Sequence, residues 1–316
     1  MRRRTPSPIS KPSVLAASAL AAAALAAAVL AASVLVGLAL PAGRAAAAGT
    51  QTLTVRYGPW TIPAGSMDRP GEILNNVSAI PKPCGSCDIL GEKPDLVYAD
   101  GSSANMDTGP MLHHFVISNL AAHDAVCPAL SDRIWASGNE RTEKRFPDGY
   151  GLAVRNLDQW LLLTDLMNYS SAPKTVYLSI TYTIAGAATT TPVRSLWLDA
   201  GGCLGSAYNV PAGQSVRTWS WLSTVGGRLV FANGHQHVGG THVSATDDTS
   251  GTTLCDSPAG YDTMGGMRVL VSMGVCAGDP IAAIRFGDRL TVHSYYDTDA
   301  PETGVMGIMH AYLAQG

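Results

Sequence analysis

Beyond residue 48 the chain is written in short apolar, β-branched runs. Within many of them apolar and polar positions alternate, the two-residue period of a half-buried strand. The clearest are "TLTVRYG", "DLVYAD", "HHFVIS", "WLLLTDLMN", "TVYLSITYTI", "SLWLDAG", "SVRTWSWL", "RLVFANGHQHV", "RVLVSMGVC", "RLTVHSYYD" and "GIMHAYLA". Clusters of Gly, Pro, Asn, Asp and Ser separate them, and helical periodicity is nearly absent. Many short strands set off by turn residues predict an all-β chain of the sandwich or barrel class. The stretch "AGAATTTP" at 185–192, with neither charge nor large apolar side chains, reads as a linker. It divides the chain into 49–186 and 187–316, each the size of one β-sandwich. No internal repeat is evident.

Residues 1–48 have a different character. Arg2, Arg3, Arg4 and Lys11 precede an Ala/Leu/Val run from Val14 to Leu40, followed by Pro41 and the small-residue stretch "AGRAAAAGT". This is the layout of a cleavable secretory signal, and it predicts a secreted protein. The run is also long enough to serve as an uncleaved membrane anchor. Its Ala- and Arg-rich composition suits a bacterial exported chain. Without these residues 16 basic side chains face 24 acidic ones, so no basic field is available for nucleic acid. No further apolar run reaches spanning length, so no membrane contact is expected after cleavage. All six cysteines (Cys84, Cys87, Cys127, Cys203, Cys255, Cys276) follow the signal, as befits disulfides in an exported chain. Six cysteines allow 15 pairings, which spacing leaves open. "PCGSC" at 83–87 has the spacing of a dithiol redox pair, but prolines rather than a strand and helix surround it, which favours a structural bridge.

Histidines carry the candidate chemistry. His113 and His114 are adjacent in "GPMLHHFVISN", where a regular strand would point them to opposite faces. A twist or bulge at His113, close to the strand entry after Gly109 and Pro110, would let both rings reach one ion. His235 and His237 in "NGHQHVGG" are spaced i, i+2, which puts both rings on one face. Imidazole together with thioether suits copper, and Met306 and Met309 lie in "ETGVMGIMHAYLA", although core packing is the ordinary role of methionine. His242 is a further candidate ligand, whereas His123, His293 and His310 read as surface or satisfied core residues. Asp95, Asp158 and Asp165 have no special context, and no hydrolase, phosphate-loop or dinucleotide motif occurs.

With His-His, His-x-His and a late Met in that order across two β-rich halves, the sequence resembles the copper type II, ascorbate-dependent monooxygenases. That family includes peptidylglycine α-hydroxylating monooxygenase and dopamine β-monooxygenase. The resemblance implies two tandem jelly-roll-like antiparallel β-sandwich domains, each holding one copper ion. It assigns His113 and His114 to an electron-storing copper, with Met167 in "LLLTDLMNYS" where the family has a third histidine. It assigns His235, His237 and Met306 to the copper that meets dioxygen. The arginine and tyrosine that hold a peptide carboxylate in the amidating members are replaced by Asn233 and His310, so a glycyl-terminated peptide is not the expected substrate. The implied activity is hydroxylation of a C–H bond in a small molecule or peptide, using O₂ and an external reductant such as ascorbate. Two alternatives stand beside it: an extracellular copper-binding or copper-sequestering protein on the same fold, and a structural or carbohydrate-binding β-sandwich with incidental histidines.

Overall fold

The computed structural model describes residues 49–315, so the predicted signal at 1–48 lies outside the described residues. These residues contain strands and turns and no helix, and none of their elements is an apolar helix long enough to cross a membrane. The first half of the chain supplies β1 (Gln51–Ile62), β2 (Gly71–Ile80), β3 (Cys87–Val97), β4 (Pro110–His123), β5 (Ser131–Gly138), β6 (Lys144–Arg145), β7 (Tyr150–Val154), β8 (Trp160–Asn168) and β9 (Lys174–Ala185). The second half begins with β10 (Thr191–Asp199), β11 (Tyr208–Val210), β12 (Gly213–Leu222), β13 (Gly227–Gln236) and β14 (Gly240–Asp247). It continues with β15 (Thr252–Met264), β16 (Met267–Met273), β17 (Val275–Ile284), β18 (Arg289–Thr298), β19 (Glu302–Val305) and β20 (Gly307–Ala314).

One long sheet runs β1-β9-β3-β7-β10-β20-β13-β17, with β6 added on β3. A four-stranded sheet, β2-β8-β4-β5, shares a core with the first half of that sheet. A five-stranded sheet, β12-β18-β14-β15-β16, shares a second core with its other half. β11 and β19 form a separate short pair. The strand pairings are antiparallel except β7 with β10, where the two halves join.

The residues between the halves are buried on both sides. In β20, Met309, Ala311 and Leu313 enter the second core, while Tyr312 and Ala314 enter the first. All eight residues of β20 are buried, which explains a continuous apolar run where a one-sided strand would alternate. Tyr312 packs against Phe146 and Trp135 at ring-centroid distances of 4.8 and 5.6 Å, and its hydroxyl donates to the Ile134 carbonyl at 2.7 Å. Each such fully buried aromatic contributes roughly 1.5–3 kcal/mol through the apolar surface it removes from water. The stretch 185–192, read from sequence as a linker, includes the tight β9–β10 turn. The Asp88 carboxylate pins that turn by accepting the N–H groups of Thr189 and Thr190 at 2.8 and 2.9 Å. The boundary drawn at 186/187 falls in this turn, but a single hydrogen-bonded sheet runs past it and each core takes residues from both sides of it.

Disulfides join Cys84 to Cys87, Cys127 to Cys203 and Cys255 to Cys276. The second ties the loop after β4 to the loop after β10 and so staples the halves together.

Candidate metal centre

The ladder between β4 and β8 pairs Leu112 with Leu166 and then His114 with Asp165, which leaves His113 as the extra residue of a bulge. The burial pattern shows the same slip. Leu112, Phe115 and Ile117 are fully buried, while His113 and His114 are consecutive half-buried residues turned away from that core. Their rings are 4.9 Å apart. The bulge expected from the sequence is therefore present, and it aims both imidazoles at one region.

His235 pairs with Ile308 one residue before the end of the β13 ladder, and His237 lies just past the strand. Gln236, between them, points the other way and donates to Ser294 Oγ and the Tyr295 carbonyl at 2.9 and 3.0 Å. The His237 N–H is held by Tyr296 Oη at 3.0 Å, and that hydroxyl donates to the Met306 carbonyl at 2.5 Å. A single tyrosine thus fixes the backbone of His237 and of Met306.

The two histidine pairs, assigned from sequence to separate ions in separate halves, face each other. His113 and His237 lie 4.7 Å apart between ring centroids, His235 and His237 5.6 Å, and His114 and His235 6.3 Å. These spacings gather the four rings into one cluster, with His113 and His237 the nearest pair across it. His113 Nδ1, His114 Nδ1, His235 Nε2 and His237 Nε2 are buried with no hydrogen-bond partner. Four orphaned imidazole nitrogens in one cluster mark a place where a metal would complete the bonding.

Two carboxylates support the cluster. Glu140, in the loop after β5, accepts from His235 Nδ1 at 2.9 Å and from the Gly138 N–H at 2.8 Å. Burial alone would raise its pKa, but His235 and these hydrogen bonds outweigh it and hold the carboxyl below the usual carboxylate range. An ionised Glu140 keeps the proton of His235 on Nδ1 and leaves Nε2 bare for a ligand. Asp165 Oδ2 lies 3.2 Å from His114 Nε2. A bulge in β2, with Asn75 in the left-handed region at φ 52°, frees the Asn75 N–H to bind the other oxygen. Burial raises the pKa of Asp165, and Asn75 opposes the rise. Among the described residues, His113, His114 and Asp165 are the group that brings three ligand atoms within 4.8 Å of one another.

Burial, reinforced by the neighbouring His235, depresses the pKa of His113 to about 4 despite the pull of Glu140. Burial first, and then the other imidazoles, depress His114 and His237 well below the ordinary histidine value. These rings are neutral at physiological pH, the form that binds a metal.

The cluster stands between two cavities. One, of about 470 Å³, is lined on the metal side by His114, Asp165, His235 and Met306 and elsewhere by apolar groups such as Leu163 and Trp197. The other, of about 250 Å³, is lined by His113, His237, Met111, Met167 and Tyr169. Met306 and Met167, the two thioethers singled out from sequence, thus lie on opposite sides of the histidines. His310 is a buried residue whose Nε2 shares a 2.8 Å hydrogen bond with Ser195 Oγ, while its Nδ1 has no partner, so it is only half satisfied. His242 stacks on Tyr295, with centroids 4.1 Å apart, rather than joining the cluster. Asp165, set aside in the sequence, and Glu140, not noticed there, are the residues that sequence reasoning missed.

The fold and the site together define an all-β chain in which four half-buried imidazoles gather beside two carboxylates. A profile of the family described as "Stress up-regulated Nod 19" matches residues 196–316, the part that carries His235, His237 and Met306. "Probable copper-dependent oxygenase M1" of Phoma sp. is 25% identical over 291 residues, covering 83% of this chain and 72% of the relative. "Probable copper-dependent oxygenase clz3" of Cochliobolus lunatus is 26% identical over 251 residues, covering 70% and 78%. Among solved structures, the major capsid protein P2 of bacteriophage PM2 aligns over 84% of this chain and 97% of its own, at 10% identity and a TM-score of 0.34. Nothing about the site follows from that last likeness.

Proposed function

We propose that this protein is a copper-dependent oxygenase whose metal is held by His113, His114, His235 and His237. The observation that carries this reading is the convergence of four half-buried imidazoles, each with a buried ring nitrogen that has no other partner. The names of the two fungal relatives point to the same chemistry. Copper bound there would supply activation of O₂ and one-electron redox chemistry, fed by an external reductant such as ascorbate.

The protein's own residues hold the ligands and shape the space beside them. Glu140 orients His235, Asp165 backs His114, and Met306 offers a thioether on the side of the larger cavity. That cavity is where a substrate C–H bond would be presented, because it is the roomier and more apolar of the two. Arg133, the cation on its wall, is already committed to Asp124 at 2.8 Å and lies over the face of Trp197 at 4.6 Å. Asn233 Oδ1, buried and unpartnered, is left to accept one substrate O–H or N–H. The cavity thus suits an uncharged small molecule better than a carboxylate-bearing one. The three disulfides agree with export to an oxidising compartment.

Metal analysis of the histidine variants, together with oxygen uptake, tests the proposal. In one shared centre, His113→Ala and His235→Ala each weaken binding of the same copper ion. In two independent centres, His113→Ala leaves an ion at His235 and His237 untouched. Absence of copper binding by the parent chain would refute the proposal. Copper binding without ascorbate-dependent oxygen uptake across a panel of apolar substrates would leave a copper-sequestering protein instead.

A further inference from the structure

We propose that Met111, Met167 and Tyr169 form a separate soft-metal site, selective for Cu(I), in the smaller cavity beside the four imidazoles. Met111 on β4 is paired directly with Met167 on β8, so the two side chains are cross-strand neighbours on one face. Both sulfurs contact a single oxygen, Tyr169 Oη, at 3.8 and 3.4 Å. All three residues line a cavity of about 250 Å³ whose other walls include His113, His237 and Glu302.

Core packing does not account for this pair. Met273 and Met309 are packing methionines, 5% and 0% exposed inside the second core. Met111 and Met167 are only half-buried and belong to neither core cluster, and their sulfurs turn toward a phenol and a cavity with polar walls. Two thioether sulfurs on one face favour a soft monovalent ion over Cu(II) or Zn²⁺. Glu302, exposed at the same cavity, adds a negative charge that draws a cation in. The site rests on the copper-oxygenase reading only for the identity of its natural ion.

Silver(I), a redox-silent analogue of Cu(I), is the probe. The full chain, labelled with ¹³C at the methionine methyl groups, is titrated with Ag(I) and followed by NMR, the two resonances being assigned with Met111→Leu and Met167→Leu. Both methyl signals should shift together and saturate at about one Ag(I) per chain, the stoichiometry of a single two-thioether site. The double Leu variant, close in volume to the parent, should lose that equivalent while its Cu(II) electron paramagnetic resonance spectrum keeps the nitrogen couplings of the imidazoles. Unmoved methyl signals, or unchanged Ag(I) stoichiometry in the double variant, would overturn the site. Shifting methyls in a chain whose Cu(II) spectrum lacks imidazole nitrogen would uphold it and overturn the four-imidazole centre instead.

Discussion

Glu140→Gln separates the charge of a supporting carboxylate from its shape. Glu140 is buried, and Oε1 takes both the His235 Nδ1–H and the Gly138 N–H. The amide oxygen of glutamine fits the same place and accepts the same two hydrogens, so the His235 ring stays where it is. What disappears is the negative charge, which strengthens the Nδ1–H bond and raises the basicity of the bare Nε2. Partners of this kind are typically worth 10- to 100-fold in metal affinity. That corresponds to about 1.4–2.7 kcal/mol. Glu140→Gln should therefore weaken Cu(II) binding by one to two orders of magnitude, measured by competition against a chromophoric chelator. Thermal melting of the metal-free chain separates this effect from a folding defect. Unchanged affinity with an unchanged Cu(II) spectrum would refute the role given to Glu140 and would weaken the assignment of His235 Nε2 as a ligand.

Gly138→Ala puts a methyl group 2.7 Å from the His113 carbonyl and 2.8 Å from His235 Cε1, so it should displace His235 and lower copper affinity. It should also cost about 1–3 kcal/mol in a denaturant melt, as overpacking does. Lys144 and Glu92 form an ion pair at 2.9 Å with both side chains 0% exposed. Lys144→Met leaves the carboxylate buried without its partner and should cost about 3–5 kcal/mol, which Lys144→Met with Glu92→Leu should largely recover. Burial, with Asp124 adding to it, raises the pKa of Asp132 to about 7. Its pKa in the unfolded chain is about 3.9, so the folded form holds the proton more tightly. Stability should then fall between about pH 4 and pH 7, by at most about 4 kcal/mol, and level off above that. Asp132→Asn should remove that slope from a series of melts across pH. Replacing Cys127 and Cys203, 76 residues apart in sequence, with serine should cost about 2–5 kcal/mol and lower the melting temperature accordingly.

The all-β class was legible because apolar runs and turn residues alternate along the whole described chain. The bulge at His113 was legible too, and more fully than adjacency alone suggests. Leu112, Phe115 and Ile117 are the core positions, and the step of three between the first two, where a strand steps by two, already places an extra residue between them. The apolar run of β20 carried a similar signal, since a strand with no polar face has to be covered on both sides. The separation between the histidine pairs was not legible. His113 and His114 ride on the four-stranded sheet and His235 on the long one, so their distance depends on how two sheets pack, which no local pattern encodes.

The carboxylates were hidden for related reasons. Glu140 sits in a loop with no periodicity, and nothing local ties it to a histidine nearly a hundred residues away. Asp165 is different, because the family resemblance points to Met167, two residues on, and strand alternation brings Asp165 to the same face with it. The β4–β8 register resolves both at once. The bulge sets His114 against Asp165, and the regular pairing before it sets Met111 against Met167. One strand pair therefore presents a hard carboxylate and a soft thioether pair on opposite sides of His113. A one-residue slip in that register would dismantle both sites together.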